Sequence, residues 1–301
     1  MSGSGGRGNR LALLTPHGGA CYPSRMRISV VITTYNQPAW LELVLLGYSV
    51  QVFRDFEVLV ADDGSDERTR NVIEGMRPRL GAALHHVWHE DRGFRKCTIL
   101  NRAIEASTGE ALLFTDGDCI PRPDLLAVHD RNLERGRFLS GGYAKLPARV
   151  SAAITAQDVL SGNATSWRWL RAHGASSTRA LLRLRVPAAL GRMLDTLTPT
   201  RPTFNGHNAA VWREDVIRAN GFDERMGWGG LDRELGERLE NAGIRGKQIR
   251  HRAHVVHLHH ERGYRKPEIE AANRAIRDET ARLRRTRTEH GITPSRHEVA
   301  S

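Results

Sequence analysis

From Arg27 to Asp118 the sequence alternates short, β-branched apolar runs with helical patterns, and this alternation limits the fold more than any other feature. Continuously apolar runs of this length are typical of strands buried on both faces of a parallel sheet. They predict strands at 28–33, 56–61, 83–88 and 111–115, with helices between them at 38–50, 66–76 and 95–107. The order predicts an α/β protein with a doubly wound, mostly parallel central sheet flanked by helices, and a ligand at the carboxyl ends of the strands.

The second half of the chain begins with a basic segment at 149–203, which holds eight arginines against Asp158 and Asp195. We expect either a mobile basic insertion or a helical flap there. Further on, the pattern predicts a strand at 208–213, a helix at 231–241, a last strand around Val255 and Val256, and then a solvent-exposed helix with a frayed end.

The predicted organisation therefore has three parts. Residues 1–25 are rich in glycine, serine and arginine and predict a disordered extension, with Met26 as a hypothetical natural start. Residues 26–264 form the main domain, which divides into segments 26–148, 149–203 and 204–264. Residues 265–301 form the charged helix and tail.

Composition narrows the compartment and the partners. The three cysteines, Cys21, Cys97 and Cys119, form no CxxC pair, so a disulfide framework or structural zinc is not expected and a reducing cytoplasm fits best. No apolar run is long enough to cross a bilayer, and the N-terminus carries no signal-peptide pattern. The formal net charge is +11. A solvated arginine-rich surface would explain this charge. Attraction to phosphates, to an anionic membrane face or to nucleic acid would explain it equally well.

Polar clusters follow the predicted strands. Asp116-Gly117-Asp118 ends the strand at 111–115, where two carboxylates can face one crevice and bind Mg²⁺ or Mn²⁺ together with substrate phosphates. Asp62 and Asp63 end the second strand, and two adjacent aspartates exceed what a helix cap requires. Thr34 and Tyr35 end the first strand, where a polar loop without a ligand is the simpler interpretation.

Two clusters in the second half carry further candidate chemistry. His257, His259 and His260 follow the last apolar run; residues 257 and 259 share a face in a strand, whereas 257 and 260 converge in a turn. The segment Gly227-Trp228-Gly229-Gly230-Leu231-Asp232 precedes a helix. Its glycines allow close backbone approach to a ligand, and Asp232 would stay ionised and act as a base. A glycine-rich loop with a capping aspartate explains the same segment equally well.

Together these pieces resemble the family 2 glycosyltransferases, from about Arg27 to Tyr264. The ordered set that carries the resemblance is VVITTYN, VADDGSDE, DRGFRKCTILNRAI, LLFTDGDCIPRPD, NAAVWRED, GFDERMGWGGLDRELGERL and VVHLHH. The last two motifs resemble the galactosyltransferase-type module also found in chondroitin-polymerising enzymes. The resemblance implies a GT-A fold, with a nucleotide-sugar-binding half at 26–148 and a smaller acceptor-side, catalytic part at 204–264.

The resemblance also implies roles for individual residues. Asp62 and Asp63 would contact the uracil and ribose, and Asp116 would lie near the ribose. Asp118 would bind the divalent metal, Mn²⁺ or Mg²⁺, with His260 as a further ligand and His257 next in line. Asp232 would be the catalytic base of an inverting reaction. The other residues implied to contact the nucleotide or substrate are Thr34, Tyr35, Arg95, Asn101, Trp228, Gly229 and Gly230.

One residue departs from the family pattern. Leu231 stands where the WGGED motif has a glutamate that helps to hold the acceptor sugar, which leaves the acceptor open and also allows a weakly active or inactive nucleotide-binding protein. Lys96, with Arg92 and Arg95, would add positive charge near a diphosphate or simply lie on a solvated helix surface.

The expected partners are a UDP-sugar donor and a glycan, lipid-linked or small-molecule acceptor, with peripheral association at the inner face of an anionic membrane. A sugar nucleotidyltransferase is disfavoured because TTYNQPAW lacks a glycine-rich phosphate loop. Nucleic acid is not expected, because no recognised binding module is present.

Overall fold

The computed structural model of the protein describes residues 26–176, 178–260 and 266–292. The predicted disordered extension at 1–25 and the last part of the predicted tail, at 293–301, lie outside the described residues. The strands are β1 (Ile28–Thr34), β2 (Phe56–Asp62), β3 (Ala83–Trp88), β4 (Ala111–Asp116), β5 (Cys119–Pro121), β6 (Arg137–Ser140), β7 (Gly142–Lys145), β8 (Ala209–Trp212), β9 (Arg245–Gln248) and β10 (His254–His257).

The helices flank these strands along the chain. They are α1 (Pro38–Ser49), α2 (Glu67–Leu80), α3 (Lys96–Ala106), α4 (Leu125–Asp130), α5 (Ala148–Ala153), α6 (Ala156–Leu160), α7 (Trp167–Ala172), α8 (Arg179–Leu182), α9 (Ala188–Leu197), α10 (Arg213–Arg218), α11 (Leu231–Asn241) and α12 (Pro267–Arg282). Short 3₁₀ turns occur at Asn163–Thr165 and Arg183–Arg185. In the described ranges, no helix combines the length and apolar character that crossing a membrane requires.

The main sheet has the strand order β3-β2-β1-β4-β8-β6-β9. Strands β3, β2, β1 and β4 are parallel to one another, whereas β8 is antiparallel to both of its neighbours. This is the mostly parallel α/β sheet that the sequence predicts. In β1, Ile28, Val30 and Ile32 pack on one side of the sheet and Val31 on the other, because successive strand residues point to opposite faces. Apolar residues on both faces explain why the sequence shows continuous rather than alternating runs.

A second, smaller sheet has the order β5-β10-β7. Strand β10 pairs antiparallel with β5, so that His257 lies opposite Cys119, and parallel with β7. The short strands β5, β6, β7 and β9 were not predicted, because three or four residues are too few for a hydrophobic period to be recognised. The small sheet joins the end of the DGD turn to the histidine cluster.

The basic segment consists of helices α5 to α9 rather than irregular chain. Val150, Leu170 and Leu181 are almost fully buried and belong to the larger apolar cluster, so much of the segment is packed onto the core. The structure therefore favours the helical alternative for this segment.

The C-terminal helix differs from the prediction of a solvent-exposed helix with a frayed end. Helix α12 packs against α11, and its buried residues are the polar Asn273 and Thr280. The chain that follows is also held: Thr288 donates a hydrogen bond to Asp223, and the Ile292 N–H donates to the Asn220 carbonyl. Apolar contacts contribute as well, because Ile276 packs against the second apolar cluster and Ile269 lies beside Gly227. Two isoleucines seven residues apart among charged residues are too few to predict a buried helix face.

Candidate active site

A cavity of about 790 Å³ lies at the carboxyl ends of β1 and β4 and extends to the start of α11. The strand register produces this location: Thr33 pairs with Asp116 and Thr34 with Asp62, so the two neighbouring strands end level with β1. The residues predicted from the sequence that line the cavity are Thr34, Tyr35, Asp63, Asp116, Asp118, Trp228, Gly229, Gly230, Asp232, His257 and His260.

The β1 and β2 side of the cavity is held by hydrogen bonds among polar side chains. The Tyr35 hydroxyl donates to Asp91 over 2.8 Å. The Asp63 carboxylate lies 2.7 Å from His89 Nε2 and accepts a 3.0 Å hydrogen bond from the Arg95 backbone N–H. Burial raises the pKa of the Asp63 carboxyl, although His89 and the Arg95 N–H act in the opposite direction. Asp63 is thus a fixed acceptor at the cavity wall, available to a ligand donor.

Three residues of the predicted binding set do not line the cavity. The Asp62 side chain is fully buried, accepts a hydrogen bond from the Ser65 N–H and lies 2.8 Å from His86 Nε2, so it closes the turn after β2. The guanidinium of Arg95 donates to the Glu90 carbonyl. Asn101 is buried in α3, where its amide group exchanges hydrogen bonds with the Phe222 backbone. These residues support the loops around the cavity rather than forming its wall.

Asp116 makes close polar contacts with two neighbouring side chains. The Thr33 hydroxyl and the Lys96 ammonium each donate to its Oδ1 over 2.7 Å. Burial opposes its ionisation, but Lys96 and Thr33 outweigh that effect and hold the pKa of the Asp116 carboxyl below its usual range. Of the two interpretations of Lys96, the structure therefore supports a charge inside the site, and Lys96 is a cavity residue outside the predicted binding set.

Asp118 lies beside two stacked imidazoles. Its Oδ2 is 3.7 Å from His257 Nε2 and 3.3 Å from His260 Nε2, and the two rings stack with centroids 5.3 Å apart. The turn alternative, in which residues 257 and 260 converge, is the one observed, whereas His259 is exposed. Burial raises the pKa of the Asp118 carboxyl, with Asp116 acting in the same direction and the two histidines against it.

The hydrogen bonding of these groups fits a divalent metal. His257 Nδ1 lies 2.7 Å from the Leu258 carbonyl oxygen. A carbonyl only accepts, so Nδ1 carries the proton and Nε2 presents a lone pair towards Asp118. The thiol of Cys119 also lies within 4.8 Å of the Asp118 and His257 ligand atoms. Burial raises the pKa of that thiol well above its usual range, so it stays protonated and donates to Asp118. One carboxylate and two imidazoles remain as candidate metal ligands.

The loop before α11 also lines the cavity, through Trp228, Gly229 and Gly230. Gly229 and Gly230 have φ of 105° and 83°, values that favour glycine. The Asn273 amide holds this loop by donating to the carbonyls of residues 227, 228 and 229. The Asp232 carboxylate follows, with Oδ2 accepting a 2.9 Å hydrogen bond from the Gly206 N–H.

Leu231 occupies the place of the family's glutamate. It lines the cavity but belongs to the second apolar cluster and is 7% exposed. An apolar side chain therefore fills the position from which a carboxylate would hold the acceptor.

Sequence reasoning missed several other cavity residues. His207 stands with its ring 4.2 Å from that of Tyr143, and burial lowers the pKa of His207 to about 4, so the imidazole is neutral near pH 7. Tyr143, Lys145 and Trp40 also line the cavity. Nothing in their sequence surroundings distinguishes them from ordinary strand, loop or helix residues.

Two family models match the chain. Residues 29–143 match the family described as "Glycosyl transferase family 2". Residues 198–261 match the family described as "N-terminal domain of galactosyltransferase". The two matches meet at the cavity: the first contains Asp118, and the second contains Asp232, His257 and His260.

Curated relatives carry the same kind of name. A validoxylamine A glucosyltransferase from Streptomyces hygroscopicus subsp. jinggangensis is 30% identical over 224 residues, which is 72% of this chain and 52% of the relative. A chondroitin synthase from Escherichia coli is 27% identical over 250 residues, 74% of this chain and 34% of the relative. The chain thus spans about half the length of the first of these relatives and a third of the second.

Solved structures share the fold. A mannosyltransferase from Pyrobaculum calidifontis, in complex with GDP-Man and Mn²⁺, is 24% identical with a TM-score of 0.52, covering 80% of this chain and 59% of its own. TarS 1–349 from S. aureus, in complex with UDP-GlcNAc, is 18% identical with a TM-score of 0.53, covering 83% and 65%. The fold is therefore GT-A, as the resemblance implied.

Proposed function

Residues 29–143 of the chain belong to glycosyl transferase family 2 and residues 198–261 to a galactosyltransferase module, and on this basis we propose that the protein is a metal-dependent, inverting glycosyltransferase. It moves a hexose from a UDP-sugar to a hydroxyl of a glycan, lipid-linked or small-molecule acceptor. The observation that carries the proposal is that Asp118, His257, His260 and Asp232 all line a single cavity. A cavity of about 790 Å³ is large enough for a nucleotide sugar.

The metal ligands in the proposal are Asp118, His257 and His260, with Mn²⁺ or Mg²⁺ as the ion. A carboxylate oxygen and two imidazole nitrogens suit a divalent transition metal such as Mn²⁺. When bound, the ion would supply positive charge to the diphosphate of the donor. Lys96 keeps Asp116 ionised and balances its negative charge. The Asp116 carboxylate would therefore not repel the diphosphate of the donor.

The proton transfer belongs to Asp232. The Gly206 N–H fixes one of its carboxylate oxygens, and the aspartate lies in the first turn of α11. As the acceptor oxygen forms its bond to the anomeric carbon, the bond from that carbon to the diphosphate oxygen breaks and Asp232 takes the hydroxyl proton. A single displacement of this kind inverts the anomeric configuration.

Donor recognition in the proposal rests on the cavity residues that follow β1 and β2. Asp63 offers a carboxylate that His89 and Arg95 hold in place, and Tyr35 adds a half-exposed ring held by Asp91. These groups suit a uracil and ribose. Asp62 lies outside the cavity wall, so in this proposal it supports Asp63 indirectly.

The reaction is tested by incubating the protein with UDP-sugars and Mn²⁺ and measuring UDP release. Validoxylamine A is the first acceptor to try, because the Streptomyces relative is a validoxylamine A glucosyltransferase. We expect slow donor hydrolysis without acceptor, faster release with the correct acceptor, and loss of both with a chelator. Proton NMR of the first product should show the anomeric configuration opposite to that of the donor.

Asp232→Asn should lower kcat by about 10² to 10⁴-fold, the usual contribution of a general base, while the KM for the donor changes little. Asp278→Asn, an exposed aspartate on α12, is the matched control and should behave as wild type. If Asp232→Asn keeps full activity, Asp232 is not the base. If the wild-type protein binds UDP-sugars but turns none over, it is a nucleotide-binding protein without catalytic activity. The apolar Leu231 would then explain the missing turnover.

A further inference from the structure

Helix α9 turns its apolar side away from the protein. Leu190, Met193 and Leu197 are 43%, 51% and 70% exposed. Their spacing of three and four residues places them on one helical face. Exposed large apolar residues are ordinary when scattered singly, but a row of three along one helix face indicates a contact surface. We call these three residues the α9 outer face.

The inner side of α9 is held by polar contacts. The Asp195 carboxylate accepts hydrogen bonds from the His251 N–H and from the Arg252 guanidinium. Gly191 lies close to the segment between β9 and β10. A Cβ at this position would come within 2.8 Å of the Arg252 side chain. Polar contacts and close backbone approach therefore seat the helix, and the α9 outer face does not contribute to packing within the described part of the chain.

The surroundings of the α9 outer face are strongly cationic. Residues 178–201 contain five arginines and a single acid, Asp195, which is already paired. Among the described residues, no carboxylate forms a salt bridge with Arg179, Arg185 or Arg192; Arg185 instead lies 5.4 Å from the Trp167 ring. A row of aliphatic side chains within a field of positive charge is the pattern of a helix that lies in the interface of an anionic bilayer.

We propose that the α9 outer face docks onto the surface of an anionic lipid bilayer, with Leu190, Met193 and Leu197 entering the headgroup boundary and the surrounding arginines contacting lipid phosphates. A second copy of the chain is the weaker occupant, because a two-fold contact through this face would bring like-charged arginines together. A single-stranded nucleic acid would match the charge, but the face offers no aromatic ring on which a base could stack.

Docking of this face would place the cavity near the membrane. Helix α8, which precedes α9, packs on β7, and β7 contributes Tyr143 and Lys145 to the cavity wall. If the protein transfers sugars as proposed, this arrangement favours an acceptor that is itself anchored in the bilayer. This consequence rests on the proposed function, whereas the docking itself does not.

Flotation of the full-length protein with vesicles tests the docking. Phosphatidylcholine vesicles containing phosphatidylglycerol are compared with vesicles of phosphatidylcholine alone. We expect binding to the anionic vesicles only, and weakening by added salt, since salt screens the arginines. The triple variant Leu190→Ser/Met193→Ser/Leu197→Ser should lower the partition coefficient at least about tenfold. Arg179→Glu/Arg192→Glu should lower it at least about 25-fold, because each basic residue near the surface contributes roughly fivefold.

Matched controls separate the face from general surface effects. Val52→Ser/Leu283→Ser removes apolar residues that are 63% and 47% exposed elsewhere, and Arg102→Glu/Arg274→Glu removes exposed charges from α3 and α12. Both controls should float like wild type, and every variant should keep its UDP-sugar hydrolysis. That activity also separates a failure of docking from a failure of the proposed function.

Three results would overturn the proposal. The first is a wild-type protein that ignores anionic vesicles. The second is binding that the two α9 variants leave unchanged. The third is a wild-type dimer in light scattering that the triple serine variant converts to a monomer, with no vesicle binding by either; the face would then be an interface between copies.

Discussion

At the scale of single residues, the two aspartates on either side of Gly117 have different neighbours. Asp116 is neutralised within the protein by Lys96, 2.7 Å away. Asp118 lies beside two imidazoles, whose nitrogens can be neutral ligands, and beside the neutral thiol of Cys119. A cation is therefore needed at Asp118 and not at Asp116, which assigns the metal to the second aspartate of the triplet in the proposed mechanism.

His129 makes stability depend on pH. Its ring is fully buried in α4, with Nε2 2.9 Å from Asn208 Oδ1. Burial lowers the pKa of His129 from 6.5 to about 4, against the smaller effect of Asn208. Between these two values the unfolded chain binds a proton that the folded chain does not, so the free energy of unfolding falls as the pH drops from about 6.5 towards 4. The full loss, reached below about pH 4 where the folded chain also binds the proton, is roughly 3 kcal/mol.

Urea unfolding at pH 7 and pH 4.5 measures this effect. His129→Gln keeps a polar group near Asn208 but cannot titrate, so we expect a smaller stability difference between the two pH values than in wild type. His173→Gln, at an exposed histidine, should keep the wild-type difference. Part of the dependence will remain in His129→Gln, because burial also lowers the pKa of His254, to about 3. An unchanged difference in His129→Gln would show that His129 does not carry the effect.

The residue scale also shows where sequence reasoning succeeds. Asp63 and Asp118 were predictable, because residues at the ends of neighbouring parallel strands must meet at one edge of a sheet. Asp62 was not separable from Asp63, since successive residues leave a strand on opposite sides and only the structure fixes which side faces the cavity. His207 carried no signal at all, because its place depends on the irregular segment that runs from α9 into β8.

At the scale of elements, α12 supports the loop at 227–230 before α11, called the substrate loop below because the proposed function assigns it to substrate binding. Asn273 accepts from the Gly227 N–H and donates to three successive carbonyls of that loop. Residues with left-handed backbone angles, such as Gly229 and Gly230, keep one conformation only when their surroundings impose it. The proposed base begins the next helix, so the position of Asp232 depends on this support.

Asn273→Ala should therefore disturb the candidate active site, although Asn273 does not line the cavity. Three carbonyls would lose a donor, which costs roughly 1 to 3 kcal/mol of unfolding free energy, and kcat/KM should fall about tenfold or more through misplacement of the loop. Asn273→Asp keeps the acceptor and loses the donor, so it should be at least as damaging as alanine. Steady-state kinetics beside urea unfolding measure both effects.

Asn241→Ala provides the matched control. Its amide also donates to two backbone carbonyls, those of Thr280 and Arg285, but it lies away from the substrate loop. We expect a comparable loss of stability with little change in kcat/KM. If Asn241→Ala and Asn273→Ala reduce activity equally, the effect of Asn273 is only a general loss of stability.

The helices and strands were predicted accurately where the hydrophobic periodicity extends over enough residues to be recognised. Strands β1 to β4 and helices α1, α3 and α11 lie within a residue or two of the predicted bounds. Helix α2 continues four residues beyond the predicted end, through Pro78, and stops at Gly81 in the left-handed region. Of the small sheet only β10 was predicted, around Val255 and Val256. Strands β5 and β7 escaped prediction, because they are short and are held by pairing with a segment far away in the sequence.

At the scale of the whole molecule, the two matched segments meet at the proposed metal ligands. Strand β10 of the second segment pairs with β5, which directly follows Asp118 in the first. The Leu258 N–H donates a 2.9 Å hydrogen bond to the Asp118 carbonyl. Backbone pairing therefore fixes the distance between the aspartate and the two histidines, and neither segment alone contains the complete ligand set.

The central claim is that these two segments form one metal-dependent nucleotide site, and calorimetric titration of UDP with and without Mn²⁺ tests it most directly. We expect Mn²⁺ to strengthen UDP binding in the wild-type protein and Asp118→Ala to abolish that gain. His260→Ala should weaken the Mn²⁺-dependent binding about 10- to 100-fold, whereas His259→Ala, at an exposed neighbour, should leave it unchanged. Equal UDP affinity with and without Mn²⁺, or variants of Asp118 and His260 that bind like wild type, would contradict the account.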